Sequence, residues 1–266
     1  MKDLLTGLKN FFLLLLIFLG GLTCKTDQDF LDPLVDIPIA FRIEMKEKLQ
    51  PGPRPLELIL SSLEVLECTN YTIDYELDQN KSSIRLALKD LILTGPCHPG
   101  YAAATNILDL GVLDPGNIDL SISLKDIIRN EGTLDVQPES YSLRLETKDG
   151  LMIIPGTLTR IPDNTIWGGV FPKADSLVQL AQSFYAELTQ LAQPMHLSSG
   201  DYGYFTVNPN FSITITDPEE PGEGGISFVY RFTGNNEDLI DLVKNYRSLG
   251  GHGLTIMLFD AEGNTY

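Results

Sequence analysis

Residues 106–124 read NILDLGVLDPGNIDLSISL. Apolar and polar side chains alternate on both sides of Asp114-Pro115-Gly116-Asn117, as in strands with one buried face. Proline presets φ and glycine accepts positive φ, so those four residues form a turn. The stretch predicts a β-hairpin, with Asn106–Leu113 against Ile118–Leu124, and it sets the pattern for its surroundings.

Upstream, Ile37–Met45 reads as a first strand and Gln50–Pro55 as a loop. Leu56–Glu67 carries Leu56, Leu58 and Leu60 on one parity. Tyr71, Ile73, Tyr75 and Leu77 alternate before the polar turn Asp78–Ser83. Ile84, Leu86, Leu88, Leu91 and Leu93 then lead toward Cys97. Downstream, Lys125–Asn130 is a helical turn or a loop, and Asp149-Gly150 turns the chain between Tyr141–Thr147 and Leu151–Ile154. Short strands with a turn every ten or so residues predict an antiparallel β-sandwich over residues 37–162.

From Asp163 the periodicity changes. Ile166–Phe171 reads as a strand, and Asp175–Gln193 places Leu177, Leu180, Ala181, Phe184, Leu188 and Leu191 at helical spacing before Pro194. Tyr202–Val207, Phe211–Thr216 and Ile226–Phe232 read as strands. Asn236 can cap a second helix with Leu239, Leu242, Val243 and Tyr246 on its apolar face and Gly250 at its end. Leu254–Phe259 is apolar on both faces and reads as a buried central strand. The order predicts a two-layer α/β sandwich over residues 163–266, loosely ferredoxin-like.

The 266 residues carry a net charge of −17, with 43% hydrophobic and 21% charged residues. That is globular composition, and a surface so acidic repels nucleic acid. At the N-terminus, Lys2 and Lys9 precede the apolar run Phe11–Leu19 and the small or apolar Gly20–Thr23. This is the pattern of a secretory signal peptide over residues 1–23, and the run is shorter than a spanning helix needs.

Gly21-Leu22-Thr23-Cys24 resembles the lipobox of Bacteroidetes-type bacterial lipoproteins, although leucine does not stand three residues before the cysteine. Lys25-Thr26-Asp27-Gln28-Asp29 is similar to the acidic tag that follows the lipidated cysteine in such proteins. The resemblance implies lipid attachment at Cys24, a tether over residues 24–36, and a cell-envelope location at the outer membrane, held through the N-terminal lipid. With Cys24 lipidated, Cys68 and Cys97 remain as a pair for an oxidising compartment. A bridge between them closes about 30 residues, for about 3 kcal/mol in the chain-entropy model, and two buried thiols are the alternative. LDLGVLDPGNIDLSISL also resembles strand pairs of immunoglobulin-like modules, which implies an Ig-like topology for the sandwich.

Motifs for catalysis do not emerge. His98, His196 and His252 lack metal-ligand spacing, and neither a G-x-S-x-G elbow nor a phosphate-binding loop occurs. No metal and no cofactor is expected. Asp217-Pro218-Glu219-Glu220 lacks the alternating oxygen spacing of a calcium loop. The sharpest ligand-binding feature is aromatic: Trp167, the single tryptophan, with Tyr202 and Tyr204 on one strand face beside Asp201. Such a platform suits sugars, whose apolar faces stack on rings while acids take the hydroxyls, and core packing is the competing use of the same rings. The reading is a lipid-anchored protein with a non-catalytic binding or accessory role toward a glycan or an envelope protein. The alternative is a glycan-directed surface hydrolase using dispersed carboxylates.

Overall fold

The computed structural model describes residues 40–216 and 225–266. The expected signal peptide 1–23, Cys24 and the tether 24–36 lie outside the described residues, as does the acidic loop 217–224. The described residues belong to one compact unit. It is mostly β-sheet, with several antiparallel sheets and, among the described residues, two α-helices.

Ten strands come first: β1 (Phe41–Glu47), β2 (Leu56–Cys68), β3 (Tyr71–Gln79), β4 (Ser83–Leu93), β5 (Pro99–Asp109), β6 (Gly116–Leu124), β7 (Ile128–Val136), β8 (Ser140–Leu145), β9 (Leu151–Ile153) and β10 (Thr157–Thr159). They build a four-stranded sheet, β5-β2-β1-β9, and a six-stranded sheet, β10-β8-β7-β6-β4-β3. Ile43, Leu58 and Leu60 of the first join Leu86, Ile122 and Leu134 of the second in one buried core, an arrangement consistent with a β-sandwich. Each such side chain contributes on the order of 1.5–3 kcal/mol by leaving water, as an upper bound.

The hairpin expected at residues 106–124 does not form. β5 pairs with β2, bringing Leu108 opposite Leu58, whereas β6 runs parallel to β4, bringing Leu120 opposite Ile84. The Asp114–Asn117 turn carries the chain from one sheet to the other. Alternation states which face is buried, and both flanks bury one; it does not name the neighbour. The Asp149-Gly150 turn also crosses between sheets, because β9 lies parallel to β1. With the β4–β6 pair, this makes the sandwich mixed rather than wholly antiparallel. The tight hairpin is instead β6–β7, where Lys125 and Asp126 take φ of 50° and 56° and the Ile127 N–H donates to the Leu124 carbonyl at 3.0 Å. Cys68 and Cys97 form a disulfide, with Cα atoms 5.3 Å apart, as the cysteine count suggested.

The remaining elements are β11 (Thr165–Pro172), α1 (Val178–Leu191), β12 (Gln193–Pro194), β13 (Gly200–Asp201), β14 (Phe205–Val207), β15 (Ile213–Ile215), β16 (Ile226–Arg231), α2 (Asn236–Gly250) and β17 (Leu254–Asp260). A sheet of order β12-β16-β11-β17 packs α1 and α2 on one face. Phe184 and Leu188 of α1 and Leu239, Leu242 and Val243 of α2 meet Ile166, Val170 and Leu258 there. The α2 face read from the sequence is the buried one, whereas of the face read for α1 Ala181, Phe184 and Leu188 are buried, Leu180 is half-buried and Leu191 is exposed. The cap of α2 is Asn235 rather than Asn236: Asn235 is extended and its side chain accepts from the Glu237 N–H at 3.2 Å, while Asn236 is already helical.

Two further expectations change. β17 is an edge strand that alternates buried and half-buried positions, and the strand buried at every position is β11. Its two glycines explain the close fit. A Cβ on Gly168 would stand 1.9 Å from the Met257 carbonyl oxygen of β17, and one on Gly169 would meet the Phe171 ring at 2.3 Å. The middle strands β13, β14 and β15 form a three-stranded sheet of their own instead of extending the helix-backed one. The second face of β11 turns Trp167 into a small core with Ile161, Tyr202, Phe205 and Val207.

Candidate functional site

β1 buries every second residue: Phe41, Ile43, Met45 and then Glu47, which is 1% exposed. A carboxylate at a core position must be compensated, and Glu47 is. Its Oε1 accepts from Arg160 Nε at 2.8 Å and from the Tyr141 hydroxyl at 3.4 Å. Its Oε2 lies 3.5 Å from Arg54 Nε and accepts from the Ile161 N–H at 3.4 Å. Arg54 is also buried, and it donates to the carbonyls of Ile161 and Ala261. Burial, and then the Glu47 charge, push the Tyr141 hydroxyl up to about 12. The cluster ties β1 to the chain around residue 161 and to the end of β17.

The outward-facing neighbours of Glu47 open onto a cleft of about 390 Å³, lined by Lys46, Leu49, Trp167, Tyr204, Phe259 and Asn264 among others. The Tyr204 hydroxyl donates to the Glu47 carbonyl at 2.8 Å, which seats the ring against β1. Burial, followed by the Glu57 charge, pushes that hydroxyl up to about 12. Lys46 Nζ stands 4.0 Å from the Tyr204 ring centroid, a cation–π contact. Lys48 is instead drawn to Glu57 at 3.6 Å and Asp109 at 3.7 Å. Trp167 forms the floor, with ring centroids 5.8 Å from Tyr204 and 6.1 Å from Phe259. Aromatic edges and the Lys46 ammonium thus converge on one concavity, which can hold a ring-bearing ligand and hydrogen-bond its polar substituents, while the Asn264 side-chain amide on the lining donates to Asp260 Oδ2 at 2.7 Å.

The expected platform is divided. Gly203 takes φ of 81° and its N–H donates to Asp201 Oδ1 at 2.7 Å, so a turn interrupts the strand expected over Tyr202–Val207. Tyr202 therefore folds inward, stacked on Phe205 at 4.8 Å, with its hydroxyl donating to the Ser198 carbonyl at 2.9 Å. Tyr204 goes to the cleft with Trp167, which is itself only 1% exposed. Asp201 serves the turn. Tyr202 instead borders a second cleft of about 450 Å³, with Arg54, Glu139, Arg160 and His196. Burial, followed by the Glu139 charge, raises the pKa of its hydroxyl. Lys46, Phe259 and Asn264 escaped the sequence reading, and Glu47 carried a visible signal as an acid in the inward register of β1.

Among the described residues no group of three or more His, Cys, Asp or Glu side chains is placed to hold a metal, and no helix is long and apolar enough to cross a membrane. Searches of family models, of curated proteins and of solved structures find no match to this chain.

Proposed function

We propose that the protein is a lipid-anchored component of a bacterial cell envelope, held at the outer membrane through Cys24, with a non-catalytic binding or accessory role toward an envelope glycan. In this reading an immunoglobulin-like sandwich carries a two-layer α/β sandwich, and the ligand enters the cleft of Lys46, Trp167 and Tyr204. The observation that carries it is the aromatic wall with an ammonium held 4.0 Å over the Tyr204 ring. The lipobox-like Gly21–Cys24 supports the address. The hydrolase alternative needs two carboxyls across a cleft, and Glu47, the most buried carboxylate among the described residues, is already clasped by two guanidiniums.

The test is a glycan array probed with the folded protein and with Lys46→Gln. Saturable binding to one glycan class, weakened at least tenfold by Lys46→Gln, is the expected result. Silence across the array, or equal binding by both proteins, refutes the site. Intact-mass spectrometry of protein from a bacterial host, beside Cys24→Ala, tests the address separately, since a mature N-terminus at Cys24 must carry lipid mass.

A further inference from the structure

The sandwich ends in a tip almost without charge. Residues 91–108 contain no Asp, Glu, Lys or Arg, nor do residues 68–73, in a chain that is 21% charged. The fold brings these two stretches together. β2 pairs with β1 up to Ser62, opposite Phe41, and then runs on with β5 to Cys68, opposite Pro99, a reach of up to about 20 Å at roughly 3.3 Å per residue. β3 and β4 run out beside them, to Tyr71 opposite Leu93, and the Thr72 hydroxyl donates across to the Thr105 carbonyl at 2.9 Å. The Cys68–Cys97 disulfide closes the tip, and both of its loops are among the described residues.

Asn70 ties the tip together. Its Nδ2 donates to the carbonyls of Thr94 at 2.8 Å and Pro96 at 2.9 Å, and its Oδ1 accepts from the His98 N–H at 2.9 Å. The Thr69 N–H donates to the His98 carbonyl at 2.9 Å. Peptide groups that would be costly to take out of water are thus already paired within the chain. Apolar side chains nevertheless face outward: Tyr101 is 77% exposed, and Val65, Ile92 and Leu93 are exposed as well. β2 adds Glu64 and Glu67 but no cation.

We infer that this tip docks on the lipid surface that holds Cys24, with Tyr101 at headgroup depth. The inference rests on the anchor proposed above. Cys24 stands sixteen residues before Ala40, so the chain between them spans at most about 55 Å. That chain enters β1 at Phe41, the end of the strand past which the tip projects, and the Leu63 N–H donates to the Ala40 carbonyl there. The aromatic cleft at Lys46 and Tyr204 lies at the opposite end of β1, so a docked tip turns it away from the membrane. Rings with one polar edge, such as that of Tyr101, favour the boundary between headgroups and hydrocarbon. A few apolar side chains hold a bilayer weakly, but a tethered contact needs little affinity because the anchor keeps its local concentration high. With no Lys or Arg at the tip, the fitting lipid is zwitterionic rather than anionic.

The probe is a phosphatidylcholine vesicle, with or without bromine on the acyl chains, where bromine quenches tryptophan at short range. The full chain is attached through Cys24, by its own lipid or, where the mass spectrum shows none, by a maleimide phospholipid on the same thiol. The tip is thereby judged even if the anchor reading fails. Tyr101→Trp puts a reporter on the tip, and Val112→Trp puts one on the exposed loop beyond the far end of β5. Trp167, buried in the small core, supplies the wild-type background to subtract. Brominated lipid should quench the tryptophan of the Tyr101→Trp protein at least twofold and leave that of the Val112→Trp protein unchanged. Circular dichroism checks that both variants fold, and both sites are exposed enough to accept the larger ring. No quenching of the Tyr101→Trp protein overturns the inference, as does equal quenching of the two variants. Concentration-dependent dimerisation that Tyr101→Asp abolishes and vesicles leave unchanged also overturns it, by assigning the tip to a second copy.

Discussion

Replacing Glu47 with alanine should be among the most damaging single changes available. Four groups lose their acceptor: Arg160 Nε, Arg54 Nε, the Tyr141 hydroxyl and the Ile161 N–H. The Arg54 side chain is 6% exposed, and its other carboxylate, that of Asp163 at 3.6 Å, is 88% exposed and so a weak substitute. An uncompensated guanidinium in that position costs about 3–5 kcal/mol, more than the net worth of the pair, because desolvation is no longer offset. With a urea m-value of about 2–3 kcal/mol/M, the unfolding midpoint should fall by roughly 1–2.5 M. Trp167 is the only tryptophan and lies in the small core beside Tyr204, so its emission follows the transition without a label. The double variant Glu47→Leu with Arg54→Met removes both charges and should be more stable than Glu47→Ala. A loss below about 1 kcal/mol for Glu47→Ala, or a double variant as weak as the summed singles, would show that the cluster is not a compensated buried charge system.

Two other outcomes follow from the same structure. Cys97→Ser opens a loop of sequence separation 29, and the chain-entropy model places the loss at about 3 kcal/mol, read as a lower melting temperature; an unchanged melting temperature would mean the bridge constrains little. Tyr141 and Tyr204 keep their protons to about pH 12 in the folded state but lose them from about pH 10 once unfolded. Stability is thus fully present below pH 10 and drains away as pH rises toward 12. The loss is up to about 3 kcal/mol for the fully buried Tyr141, and Tyr141→Phe should flatten the slope of denaturation midpoint against pH.

Where the chain reports its own burial, the sequence was legible. The inward Leu56, Leu58 and Leu60 of β2, the middle of the α1 face at Ala181, Phe184 and Leu188, and the α2 face at Leu239, Leu242, Val243 and Tyr246 stand at the expected positions, because a period of 2 or 3.6 is a local property. Pairing is not local. Leu108 and Leu120 carry the same alternation on either side of one turn and belong to different sheets. The burial of Leu254–Phe259 was read as that of a central strand, but β17 lies at the sheet edge, and of its half-buried outer positions Phe259 packs with Trp167 and Leu49 and bridges to Thr265. The site was half visible. Trp167 and Tyr204 could be picked out as aromatics, but Tyr202 could not be separated from Tyr204 without the φ of Gly203. Nor could any spacing rule join Glu47 to Arg160, which lie 113 residues apart.

The parallel seating of β9 beside β1 bears on how the chain reaches this structure. β1 is flanked by β2 on one side and by β9 on the other, so its first neighbour is made within about twenty residues of it and its second only after another hundred. Until residue 151 emerges, one whole margin of β1 is open. During synthesis, the first sheet therefore stands as an unfinished template, available to stray strands for as long as the intervening chain takes to appear. A helper that shields that margin, or a slow passage that keeps β1 and β2 apart until β9 arrives, would improve the yield of folded protein without altering its final stability.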